Sequence, residues 1–163
     1  MARDALDAET RLMGDDHGSI RLWLRMLATN RLVETRTRRL LQERYATTLP
    51  QFDLMAQLER VPKGLKMGEL SKRMMVTGGN VTGITDLLEK EGLVERVADP
   101  NDRRAWLVRL TTAGRRSFSA MAEEHERWIV ESFRELTGRE MATMAALLAR
   151  LKIHVRSLEE RDA

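Results

Sequence analysis

The chain has 163 residues, 28 Lys and Arg against 25 Asp and Glu, 42% apolar residues and no cysteine. That length suits one domain or two small units sharing a core, and the lack of cysteine excludes disulfides, thiolate nucleophiles and Cys-ligated zinc or iron–sulfur centres. The net charge of +3 is mild, but most of the cations are Arg, whose planar fork suits phosphate and carboxylate.

Residues 1–18 mix charges with Gly14 and Gly18 and carry no sustained apolar stripe, so a mobile arm is expected there. Over residues 19–45, Trp23, Met26, Leu27, Val33, Leu40 and Leu41 recur at the three-and-four spacing of one helix face, with Ser19 as the expected N-cap. Thr48-Leu-Pro-Gln51 places a hydroxyl at the next cap, Pro50 in the first turn and Gln51 at the third position, which predicts a capping box and a helix to about residue 60. Pro62 and Gly64 stop it, and a short helix over 68–74 follows, with Leu70 and Met74 four apart.

Thr77 then stands as a cap before a helix through about residue 91, whose apolar face is Val81, Ile84 and Leu88, and Gly92 supplies the left-handed stop. After Gly92 the apolar period changes from 3.6 to 2. Residues 93–98 and 105–110 read as the strands of a hairpin, joined by the turn sequence Asp99-Pro-Asn-Asp-Arg-Arg104. Thr111 or Thr112 caps a long helix to about residue 136, and Thr137-Gly-Arg-Glu140 is a second capping box opening a last helix to about residue 159.

Helix, tight connection, helix and two-stranded hairpin follow one another without gaps, which is the layout of a winged helix-turn-helix. The fold class expected is therefore mainly α with a small β-hairpin wing. The helix opened by Thr77 has an outward side of Gly78, Gly79, Asn80, Thr82, Gly83 and Asp86, whose small groups would let a backbone approach DNA. Asn80 can pair bidentately with adenine, and Thr82 can meet a thymine methyl or a phosphate. Arg103 and Arg104 stand at the hairpin tip, where guanidinium groups suit the minor groove, with Asp102 beside them to orient one. Lys66, Lys72 and Arg73 are the expected phosphate contacts. The competing readings are a solvated helix face and a surface turn with a local ion pair.

Residues 64–96, followed by Asp99-Pro-Asn-Asp-Arg-Arg-Ala105 and Leu110-Thr-Thr-Ala-Gly114, resemble the MarR family of transcriptional regulators. The resemblance covers about a third of the chain directly. It implies a sequence-specific DNA-binding regulator, a repressor by default, organised as an arm (1–18), an N-terminal dimerisation helix (19–47), a DNA-binding domain (48–111) and C-terminal dimerisation helices (112–163). An obligate homodimer agrees with the apolar positions Phe118, Met121, Trp128, Ile129 and Phe133 on one long helix and Met141, Met144, Leu147, Leu148, Leu151 and Val155 on the other, which exceed what a small winged domain covers. Two recognition helices would then meet successive major grooves about 34 Å apart, on a pseudo-palindromic double-stranded operator.

The resemblance also implies a small anionic or phenolic effector that releases the DNA. The segment over 121–129 is similar to the branch of the family that controls aromatic-acid degradation. The first long helix carries Arg21, Arg25, Arg31, Arg36, Arg38, Arg39 and Arg44 against only Glu34 and Glu43. An aromatic acid or its coenzyme A thioester is the expected effector, its apolar part near Trp23, Met26 and Met55 and its anionic groups on Arg25 and Arg31. The alternative is that these Arg side chains pair with Glu123, Glu124, Glu131 and Glu135 across the dimer.

His17, His125 and His154 are too dispersed for a zinc pattern, and no hydrolase or P-loop motif is present, so no metal, no cofactor and no enzyme activity are expected. Without cysteine, thiol-oxidation sensing is excluded. No run approaches the roughly 18 to 20 apolar residues of a spanning helix, and the acids of residues 1–16 do not suit a secretory signal. A cytoplasmic protein with no membrane partner is expected. A non-specific DNA-architectural protein and a protein-binding winged module with no DNA role are the alternative functions.

Overall fold

The computed structural model describes residues 17–162, and the arm expected before His17 lies outside them. Two compact units divide between Glu126 and Arg127. Helix α1 spans Gly18–Tyr45. Its N-cap is His17, which makes no side-chain cap bond, so the cap expected at Ser19 is corrected: Gly18 is already helical and Ser19 sits inside the first turn. Ala46 ends α1 in the left-handed region at φ 51°, donating its N–H to Gln42 O at 3.1 Å.

Helix α2 (Leu49–Glu59) has the full capping box, with Gln51 N–H donating to Thr48 Oγ1 at 3.3 Å and Thr48 N–H to Gln51 Oε1 at 2.9 Å. Its core face, Phe52, Leu54, Met55 and Leu58, is buried with Leu41 of α1. Helices α3 (Met67–Met74) and α4 (Gly78–Lys90) follow, joined through Met75 at φ 54°. Thr77 holds the N-cap of α4 with extended backbone, but its hydroxyl makes no cap bond. Leu70, Val81, Thr85 and Leu88 are fully buried, and this packing fixes the roll of α4.

The wing is a three-stranded antiparallel sheet in the order β1-β3-β2, where β1 is Leu65–Lys66, β2 is Val94–Asp99 and β3 is Asp102–Leu110. The hairpin is tighter than the six-residue turn expected. Asp99 pairs with Asp102 across a bulge, Pro100 and Asn101 alone form the connection, and Arg103 and Arg104 belong to β3. Side chains make this turn possible: Asp99 Oδ1 accepts the Asn101 N–H at 2.9 Å and Asp102 Oδ1 accepts the Arg104 N–H at 3.1 Å. Strand β1 pairs Leu65 with Val108 and Lys66 with Leu107. Gly64, at φ 97°, enters that strand where a Cβ would lie 2.7 Å from Val108 O.

Helix α5 (Thr112–Phe133) leaves the sheet under a cap from Thr111, whose Oγ1 accepts the Gly114 N–H at 2.9 Å. Part of the apolar stripe predicted to need a partner is already covered. Phe118 lies 5.4 Å from Phe52, Met121 is fully buried, and Trp128 is buried. His125 lies tilted against Phe52, with ring centroids 4.9 Å apart, and burial lowers its pKa. Tyr45 Oη donates to Ala120 O at 3.2 Å, and Arg44 pairs with Glu124. In the second unit, helix α6 (Gly138–Asp162) starts with the capping box of Thr137 and Glu140, and its apolar stripe is exposed.

A Cβ on Gly114 would collide with the carbonyl oxygen of Leu93, so Gly114→Ala should lower stability by about 3 kcal/mol in urea unfolding, and an unchanged midpoint would contradict the close approach. His125 is depressed from 6.5, so its neutral form supports the fold; the contribution is complete above about pH 6.5 and is lost as the pH falls through the lower folded value. His125→Leu should flatten the fall in unfolding midpoint between about pH 7 and pH 5, whereas parallel falls in both proteins would show that His125 is not its source.

Candidate nucleic-acid interface

The outward side of α4 is bare. Cβ atoms built on Gly78, Gly79 and Gly83 would meet nothing within 4 Å, and Asn80 and Thr82 are exposed between them. Thr82 Oγ1 donates to Gly78 O at 3.0 Å, which uses its proton inside the helix and leaves a methyl group and acceptor lone pairs facing outward. A surface of this kind offers an amide donor and acceptor at Asn80 and a hydroxyl acceptor at Thr82. Asp86 has a different role from the one its outward position suggests. It and Glu89 both hold the guanidinium of Arg96 on β2, and Arg96 N–H also donates to Glu89 Oε1 at 3.3 Å. The hydrogen bond to Asp86 is the main cause that raises the Arg96 pKa. This clamp ties the C-terminal half of α4 to the wing.

On the wing, Asp102 meets a backbone amide and Lys66, whose Nζ is 3.8 Å away, rather than a guanidinium among the described side chains. Lys66 also lies 3.1 Å from Asp99 Oδ2. Arg104 is exposed at the start of β3, and of Arg103 only the backbone position in that strand is described. Lys72 and Arg73 occupy the last turn of α3, both on its solvent side, with Arg73 paired to Glu69 at 2.6 Å. The structure therefore leaves Gly78, Gly79, Asn80, Thr82 and Gly83 exposed along the first half of α4, with Thr77 exposed at its N-cap, and places Lys66 with Asp102 at the wing turn.

A cleft of about 910 Å3 opens between the second half of α1, the start of α2 and α4. Leu49, Pro50, Val76, Ile84 and Leu87 line it, with Arg38 and Arg39 on the α1 side and Gly79, Asn80 and Gly83 on the α4 side. Arg38 pairs with Glu34 at 2.6 Å and Arg39 with Glu43 at 3.4 Å, so part of the α1 charge is balanced within the helix. The residues expected around an effector do not line this cleft. Met55 is fully buried, Met26 is half-buried, and Trp23, Arg25 and Arg31 are exposed on α1. Glu131 and Glu135 pair with Arg134, within three residues on the chain. Among the described residues no group of His, Asp and Glu is placed to hold a metal, and no helix is long and apolar enough to cross a membrane.

Sequence reasoning missed the Arg96 clamp, the Lys66 pairing and the cleft. Each joins residues distant along the chain through strand register or helix packing, for which no local spacing is a signal.

The MarR family matches residues 47–106. The HTH-type transcriptional regulator YsmB of Bacillus subtilis (strain 168) is 30% identical over 121 residues, covering 74% of this chain and 82% of YsmB. The crystal structure of a MarR family transcriptional regulator from Silicibacter pomeroyi is 34% identical with a TM-score of 0.75, covering 87% of this chain and 99% of that one. A point mutant of MarR from Escherichia coli, solved complexed with operator DNA, is 29% identical with a TM-score of 0.68, covering 85% of this chain and 99% of that one. A helix-turn-helix, a wing closed by β1, and relatives that match over most of their length lead to one assignment: the chain belongs to the MarR family of winged-helix transcriptional regulators.

Proposed function

We propose that the protein is a homodimeric repressor that reads a pseudo-palindromic operator duplex and is released by a small aromatic anion. The observation that carries the DNA reading is the bare face of α4, held at a fixed roll by its buried side and flanked by an Arg-bearing strand. The E. coli MarR mutant of similar fold was solved with operator DNA, which supports DNA binding by this chain.

Dimerisation is supported by the stripe on α6. Met141, Met144, Leu148, Leu151, Val155 and Leu158 alternate spacings of three and four over 18 residues, all exposed, which is the seam of a left-handed helix pair. Ile20, Leu22, Trp23 and Leu32 add exposed apolar surface on α1. A second copy would cover these faces and set the spacing of two recognition helices.

The cleft between α1 and α4 is the effector site in this reading. Its volume is in the range of pockets that take small organic ligands, its walls are apolar, and two guanidinium groups stand at one side for a carboxylate. Either a free aromatic acid or the acyl end of its coenzyme A thioester meets that description. An occupant would touch Asn80, Gly79 and Gly83 on the helix that reads DNA, so binding and release share one element. Regulation of aromatic-compound catabolism is the corresponding role.

Fluorescence anisotropy on the duplex upstream of the protein's own gene should show affinity about a thousandfold above a scrambled duplex, falling steeply with salt. Equal affinity for both duplexes would point to an architectural protein, and none for either would remove the DNA reading. An aromatic acid should release the native duplex and raise transcription from its promoter. Arg38→Ala with Arg39→Ala should weaken that release while leaving ligand-free DNA affinity within about threefold; unchanged release would move the effector away from the cleft.

A further inference from the structure

Asp99 and Asp102 are register partners at the free end of the β2–β3 ladder, and directly opposed like charges destabilise a hairpin. Both carboxylates are committed to the turn, since each uses one oxygen to accept a backbone N–H, from Asn101 and from Arg104. Neither can turn away without releasing an amide. The Asp99 side chain is also largely covered by its neighbours, at 7% exposure. Among the described side chains, Lys66 reaches both: its Nζ lies 3.1 Å from Asp99 Oδ2 and 3.8 Å from Asp102 Oδ2. The Asn101 amide and the Lys66 ammonium together hold the Asp99 carboxyl below the usual carboxylate range.

We infer that Lys66 is a positioning residue of the wing: its ammonium offsets the repulsion between Asp99 and Asp102, holds the two-residue turn closed, and so sets where Arg104 stands relative to a duplex. This differs from the phosphate contact that its charge alone suggests, because the ammonium is paired with carboxylates of its own chain. The placement follows from strand β1, whose two residues bring Lys66 alongside β3 through the Leu107 pairing. The inference rests on the DNA-binding reading only for its consequence; the closure of the turn belongs to the free protein.

The test uses the full-length chain. In the DNA-free protein, Lys66→Met should speed amide hydrogen exchange at Asn101 and Arg104, and Lys66→Arg should restore it. Unchanged exchange in Lys66→Met would overturn the inference whether or not an operator is found. On the upstream duplex, Lys66→Met should weaken binding about tenfold, and adding Asp99→Asn should recover most of the loss, since the opposed charge is gone. A Lys66→Met protein that binds like the wild type would overturn the proposal. So would a double variant as weak as Lys66→Met with a salt slope lower by about one, the mark of a lost phosphate contact. If the wild type prefers no duplex while exchange responds as stated, the operator reading fails and the role of Lys66 in the turn stands.

Discussion

The burial of one face of α4 is the constraint on which the remaining features depend. Val81, Thr85 and Leu88 are completely enclosed, and burying Val and Leu side chains contributes about 1.5 to 3 kcal/mol each. Exposed positions contribute within about 0.5 kcal/mol either way. The inner face therefore decides the roll of the helix, and the residues between are free to be small and polar. Thr85 joins the inner face without an unsatisfied hydroxyl, because Oγ1 donates to Val81 O at 2.8 Å. Arg96 then fixes the far end of the helix to the wing through two carboxylates, so α4 and the sheet present one surface.

The same helix also borders the cleft with α1, through Gly79, Asn80, Gly83, Ile84 and Leu87, so the cleft overlaps the face proposed to read DNA. A helix packed on one side and shared on the other between duplex and cleft is suited to control by a small molecule, because an occupant or a modest shift of α4 changes the surface that DNA would meet. The energetic requirement is only that the occupant favour one position of α4 over another. Arg38 and Arg39 are already paired with Glu34 and Glu43, so a carboxylate must compete with these internal partners, and exposed pairs of this kind are worth little. Nearby, the pKa of Asp53 on α2 is raised by burial and by the charge of Glu34, so an anion that draws Arg38 away leaves a carboxylate whose field already reaches α2.

Much of this architecture was legible in the sequence where the physics is local. The caps of Thr48 with Gln51, Thr111 with Gly114 and Thr137 with Glu140 are satisfied within three residues, and Gly92 takes the positive φ its position requires. The apolar period of α4 located the outward face containing Asn80 and Thr82. What escaped depends on long-range pairing. Strand β1 has two residues and therefore no periodicity, yet it delivers Lys66 to the wing. The hairpin turn shortened because Asp99 and Asp102 turn inward to their own backbone, an arrangement that a run of charged residues does not reveal. From sequence, Phe118 and Met121 count as surface awaiting a partner, because the sequence does not show that Phe52 stands beside Phe118 or that Met121 is enclosed.

The central claim is that two copies of α4, each fixed by its buried face, read one duplex together. Hydroxyl-radical footprinting of the full-length protein on the DNA upstream of its gene tests this most directly. Two symmetric protected patches centred one helical turn, about 34 Å, or a multiple of it apart are the predicted result. Protection of a single patch, or uniform weak protection along the fragment, would contradict it.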